Sequence, residues 1–224
     1  MASNNPANPS VKEQREAKRA AKVAVLKKQQ ARDKRNRRLG IGGAILGGVV
    51  VLALIAFVIW SNYKPTVDPD DIAISGVETF DDLPNTHVTT AVDYEATYGA
   101  TPPAGGNHAG AWLNCGVYSE EQQNENAVHS LEHGAVWVTY DPEALSESEV
   151  ETLRDAMPST YTILSPYPGL PAPVVASGWG VQVQLDGVDD PRLADFITKY
   201  KESPDGPEYG ASCTGAIDGP GKIA

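Results

Sequence analysis

The segment His129-Ser130-Leu131-Glu132-His133-Gly134 places two imidazoles four residues apart. On a helix that spacing turns both rings to one face, where they can grip a single ion. All four histidines of the 224-residue chain, His87, His108, His129 and His133, fall in one stretch of fewer than 50 residues. Clustering of this kind makes a joint site worth weighing, because imidazole is the commonest metal-ligand side chain. The expected ligands are His129, His133 and His108, the last in the loop Gly105-Gly106-Asn107-His108, with His87 as a weaker fourth. Zinc and copper are the natural ions for an all-imidazole set.

Read literally, His129 to His133 also fits the H-x-x-E-H pattern of zinc peptidases, with Glu132 as general base and a distant carboxylate, Glu202 or Glu208, completing the metal site. Its context opposes that reading. Gly134 and a strand follow at once, which leaves no helix to continue and little chain for a substrate cleft. A purely structural account of the histidines remains: capping helix ends, bonding loop carbonyls and packing beside Trp112 and Trp137. No G-x-S-x-G, phosphate-binding glycine loop or C-x-x-C is present.

Several elements must position these residues. Glu120 to His133 reads as a helix, with Gly134 as its left-handed terminator. Ala135 to Tyr140 reads as a buried strand from its β-branched and aromatic content. Before them, Ile74 to Phe80 reads as a strand, and Leu83 to Ala111 is rich in Pro and Gly, a composition more often functional than structureless in a compact domain. After them, Ser146 with Glu149 forms a capping box that starts a helix burying Val150, Leu153 and Met157. Tyr161 to Ser165 is a further strand, and Val181, Val183 and Leu185 alternate with Gln182 and Gln184 as in a strand with one buried face. Asp190 and Pro191 start a helix burying Leu193, Phe196, Ile197 and Tyr200. Strands and helices mix without a strict βαβ rhythm, which predicts the α+β class. No internal repeat is visible.

The charge divides the chain in two. Residues 1 to 64 hold 13 of the 18 Lys and Arg but 3 of the 29 Asp and Glu, about +10, which leaves about −21 for the rest of a chain whose net charge is −11. Between the halves, Leu39 to Trp60 is 22 residues without charge or proline. That length crosses roughly 30 Å of hydrocarbon at about 1.5 Å per residue. A signal peptide would have a shorter apolar run nearer residue 1 and a small-residue cleavage site, so an uncleaved anchor is expected. Lys34, Arg35, Arg37 and Arg38 crowd its N-terminal flank, which keeps the N-terminus cytoplasmic and puts the main domain outside the plasma membrane. Trp60 and Tyr63 suit the outer interface.

The expected organisation is a basic, partly helical cytoplasmic tail over 1–38, a spanning helix over 39–60, a linker over 61–71 and an extracytoplasmic α+β domain over 72–224. The tail suits anionic lipid head groups rather than nucleic acid. Gly43 and Gly47 would let a partner helix approach closely. Cys115 and Cys213 both fall on the oxidising side, where an even count implies a disulfide worth about 4.7 kcal/mol for a loop of roughly 100 residues. A pair of thiolate metal ligands is the competing reading.

Longer motifs carry a resemblance. Pro102-Pro103-Ala104-Gly105-Gly106-Asn107-His108, Trp112-Leu113-Asn114-Cys115-Gly116-Val117-Tyr118, His129 to Tyr140, Ser165-Pro166-Tyr167-Pro168, Ala176-Ser177-Gly178-Trp179-Gly180 and Cys213-Thr214-Gly215 together resemble a family of actinobacterial single-pass membrane proteins with a domain of unknown function. The resemblance spans roughly Gly76 to Gly215, includes all four histidines, and departs at Gly178, where alanine is expected. It implies no established reaction. It does imply an accessory subunit beside the cytochrome bcc-aa3 oxidase supercomplex, with membrane proteins as partners. The leading expectation is therefore a non-enzymatic, membrane-anchored accessory protein with a copper or zinc site, and the alternative is a zinc-dependent hydrolase.

Overall fold

The computed structural model describes residues 11–62 and 68–223, which fall into two compact units, Met1–Thr66 and Val67–Ala224. In the first unit a continuous helix, α1 (Val11–Asn62), carries both the basic stretch and the apolar one. Its Gln14–Val58 portion is long and apolar enough to cross a membrane, a property shared with signal sequences. Leu39, Leu46 and Leu52 are each 67% exposed. The Trp60 side chain, Tyr63 and the middle of the expected linker lie outside the described residues. Pro69–Asp71, at the linker's end, forms a 3-10 turn capped by Asp68.

The second unit is a mixed α+β domain. Its elements run β1 (Val77–Thr79), α2 (Tyr94–Tyr98), β2 (Gly116–Val117), α3 (Asn124–Glu132), β3 (Val136–Tyr140), α4 (Glu147–Ala156), β4 (Thr162–Pro166), β5 (Val174–Gly178), β6 (Val181–Leu185) and α5 (Arg192–Tyr200). Six strands form one sheet in the order β1-β6-β5-β3-β4-β2. Strands β3 and β4 pair in parallel through the α4 crossover, and β5–β6 is an antiparallel hairpin turned by Trp179-Gly180.

The pleat of β3 explains why its sequence is apolar throughout. Val136, Val138 and Tyr140 face a core made with Leu153 of α4 and with Leu193, Phe196 and Ile197 of α5. Ala135 and Trp137 face a second core with Leu113, Tyr118, Ala127, Leu131 and the cysteines. A strand covered on both faces has no polar side to show. The first layer follows local signals. Glu149 accepts from the Ser146 backbone at 2.8 Å to complete the capping box. Hydrogen bonds from Arg192 hold the Asp190 carboxyl down to about 2 at the start of α5.

Three expectations shift. The strand over Ile74 to Phe80 contracts to Val77–Thr79, although Phe80 still donates to Gly180. The helix over Glu120 to His133 begins only at Asn124, because Gln122 instead donates to the carbonyls of Glu120 and Pro220. Strands β2 and β5 were not expected. The first is a two-residue edge, and Val174–Gly178 offers only two β-branched residues, after Pro173, before the small residues Ala176, Ser177 and Gly178.

Candidate metal centre

Helix α3 is buried along almost its whole length although six of its nine residues are polar. Those polar side chains strap the preceding loops against it. Glu125 accepts from the Val92 amide, Asn126 donates to the Ala111 carbonyl and Ser130 donates to the Leu113 carbonyl. The strapped loops carry the other histidines. His87 and His108 form an isolated parallel bridge, with Val88 donating to the His108 carbonyl at 2.7 Å and His108 to the Thr86 carbonyl at 3.2 Å. Gly106 shapes the turn before His108: its φ is +106°, and a Cβ there would collide with the Tyr98 ring.

At its C-terminus α3 closes with a Schellman motif. The Ala135 amide reaches the Ser130 carbonyl and the Gly134 amide the Leu131 carbonyl, each at 2.9 Å, around Gly134 at φ +94°. This closure leaves His129, Glu132 and His133 on one side of the helix.

Three imidazoles are oriented in the same way. His108 Nδ1 lies 2.8 Å from the Gly106 carbonyl, His129 Nδ1 2.7 Å from that of Ala109, and His133 Nδ1 2.7 Å from that of Ser212. A carbonyl oxygen only accepts, so each Nδ1 carries a proton and each Nε2 is turned inward, where a neutral ring would offer its lone pair. That is how metal-ligating histidines are held, with the remote nitrogen donating to a carbonyl.

The inward atoms crowd one another. His129 Nε2 and His133 Nε2 are 3.1 Å apart, close to the about 3.3 Å that two nitrogens bound to one tetrahedral zinc would show. His108 Nε2 is 2.9 Å from Glu132 Oε2, and His133 Nε2 is 3.1 Å from Glu208 Oε2. Despite the short distance, His108 Nε2 and Glu132 Oε2 are buried without a partner in hydrogen-bonding geometry. A proton or a cation must lie among such atoms. Burial, with the neighbouring rings adding to it, pushes the His129 imidazole down to about 4, so it is neutral at physiological pH.

The ligand atoms group into two sets, each with its members within 4.8 Å of one another: His87, His108, His129 and Glu132, and His129, His133 and Glu208. Both sets could hold a metal ion. A family model described as "Protein of unknown function (DUF3105)" matches residues 87–215, more than half of the chain. The chain belongs to the DUF3105 family. All six residues of the two sets, and both cysteines, lie inside the matched DUF3105 region. No curated protein and no solved structure matches the chain.

Within the DUF3105 domain the sequence-derived histidines are brought together, but not as one trio. His129 stands in both sets, His108 in one and His133 in the other, while His87 joins His108 as a full member. Glu132 is among the candidate ligands, and its ion-pair partners among the described residues are His87 at 3.9 Å and His108. Of the two distant carboxylates, Glu208 reaches the cluster, whereas Glu202 pairs with Lys201.

Sequence reasoning missed the straps Glu125, Asn126 and Ser130; an amphipathic helix with polar residues on its buried side was the signal. Trp112 packs against His133 with ring centroids 4.9 Å apart, and Trp179 stands edge-on to His108 at 5.8 Å. Cys115 and Cys213 form the disulfide.

Proposed function

We propose that this protein is a membrane-anchored, extracytoplasmic metal-binding protein whose DUF3105 domain holds one zinc or copper ion through the histidine–glutamate cluster. One observation carries the reading: three buried imidazoles each spend Nδ1 on a backbone carbonyl and aim Nε2 at its neighbours and at Glu132 or Glu208. Three imidazoles and a carboxylate suit zinc and copper(II). The helix α1 supports attachment to a membrane, and the basic residues before its apolar stretch support a cytoplasmic N-terminus. The role is accessory, beside partner membrane proteins. Cytochrome bcc-aa3 oxidase subunits are the partners that the motif resemblance supports.

The hydrolase reading keeps one favourable observation, since His129, His133 and Glu208 are the ligands that an H-x-x-E-H segment with a distant carboxylate would supply. Against it, Glu132 is spent on His108 and His87. The hollow lined by Asp186, Asp190 and Arg192 contains none of the histidines.

Elemental analysis of the full chain, purified in mild detergent and dialysed after loading with zinc or copper, tests the proposal. About one ion per chain is expected, with loss of most of it in His129→Gln; wild-type protein that retains none would overturn the reading. Oxidase or cytochrome subunits should co-purify in the same preparation, and the partner assignment fails if they do not. Hydrolysis of a peptide library that disappears in Glu132→Gln with metal still bound would favour the hydrolase instead.

A further inference from the structure

The two ligand sets share one atom. His129 Nδ1 is committed to the Ala109 carbonyl at 2.7 Å, so Nε2 is the only nitrogen that His129 can offer an ion. A single imidazole lone pair binds one ion at a time. The sets are therefore alternatives: an ion that uses His129 sits either with His87, His108 and Glu132 or with His133 and Glu208.

The two seats differ in kind. The inner one offers four ligands, two of them, His108 and Glu132, with side chains 0% and 2% exposed. The outer one offers three ligands, and its carboxylate, on Glu208, is 47% exposed. His87 is 50% exposed, so each seat has one ligand at the surface. What separates them is number, for four ligands complete a tetrahedral site, whereas three leave a coordination position for water or an incoming donor atom. Both seats include His129 Nε2, and His133 Nε2 lies 3.1 Å from it, so the seats adjoin and an ion can pass between them without leaving His129.

We infer that the ion rests in the inner seat and enters and leaves through the outer one, with His129 as the shared ligand that hands it across and Glu208 as the port. The inference rests on the metal reading of the cluster. It adds that this is a site built for exchange with a metal donor or acceptor, and that one ion is bound at a time.

The full chain in detergent, loaded with cobalt(II) as a visible probe and then mixed with excess EDTA, tests it. Wild-type protein should bind one cobalt. Glu132→Gln, at the inner seat, should weaken equilibrium binding by at least roughly the 10- to 100-fold that losing even a partner of a ligand costs. Glu208→Gln should weaken binding less than Glu132→Gln does, yet slow both loading and release to EDTA by roughly tenfold. Release is the deciding arm, because removing a surface charge alone slows loading without slowing escape.

The inference is overturned if Glu208→Gln leaves release as fast as in wild type, if it weakens binding as much as Glu132→Gln, or if the wild type binds two cobalt ions. It is also overturned if His87→Gln, at the other exposed end of the cluster, is the variant that slows release. Wild-type protein that binds no cobalt, zinc or copper sinks the metal reading itself, whereas normal metal content with unaltered exchange sinks only the handover.

Discussion

Glu132 is a carboxylate with a side chain 2% exposed, and the cationic partners it has among the described residues are imidazoles. A buried carboxylate without a permanent cation costs several kcal/mol of desolvation, which a metal ion would repay and a neutral histidine would not. The sign of its effect on stability should therefore depend on the ion. In metal-free protein Glu132→Gln should melt at the same temperature as wild type or higher, because the amide keeps the shape and removes the charge. In metal-loaded protein the order should reverse. An ion at 100 times its Kd adds about 2.7 kcal/mol to a chain that binds it, and the variant forfeits most of that. Thermal melts with and without zinc read both signs, and a variant less stable than wild type in both conditions would mean that Glu132 serves packing alone.

At the scale of elements, α3 and its terminator decide where the ligands point. Gly134 has φ +94°, and a Cβ there would stand 3.2 Å from the Glu202 backbone, whose amide donates to the Gly134 carbonyl at 2.8 Å. Gly134→Ala should cost at least the about 1–2 kcal/mol of a left-handed non-glycine residue, a fall in melting temperature of roughly 2–4 °C per kcal/mol. It should also loosen metal binding, since His133 lies beside the strained residue. Circular dichroism melts and metal retention check the two parts, and an unchanged melt would show that the turn is not under constraint.

Which elements could be read in advance follows the same physics. Strands β3 and β6 and helices α4 and α5 carry their own alternation, periodicity or caps, so Trp137, Val183, Leu153 and Phe196 stand where pattern places them. Strand β5 carries no such pattern. Its burial comes from pairing with β3 and β6 on both sides, a long-range fact. At the site, the spacing of His129 and His133 was legible because a helix sets it. The place of His87 was not, because it comes from a backbone bridge to His108, 21 positions on, across loops broken only by the short helix α2.

For the whole molecule, the C-terminal segment is what closes the outer seat. Ser212 holds His133, Glu208 completes the ligand set, and the Cys115–Cys213 bond fixes the segment to the strand edge, aided by hydrogen bonds from Asn114 to Ile217 and from Cys115 to Cys213. The bridge spans 98 positions of sequence, a loop for which the chain-entropy argument gives nearly 4.7 kcal/mol. Removing both sulfurs as Cys115→Ser with Cys213→Ser should lower stability by about 2–5 kcal/mol, read as a shift of the denaturant midpoint. Its effect on metal should be selective. The inner ligands lie between positions 87 and 132, held to α3 by Glu125, Asn126 and Ser130 rather than by the C-terminal segment. The double variant, where folded, should keep its ion but exchange it more slowly, as Glu208→Gln does, because a displaced Glu208 and His133 no longer take the ion over from His129. Folded double variant that binds no ion at all would place the C-terminal segment at the centre of the site rather than at its door. The bridge, which an oxidising compartment favours, would thus help to set the exchange rate.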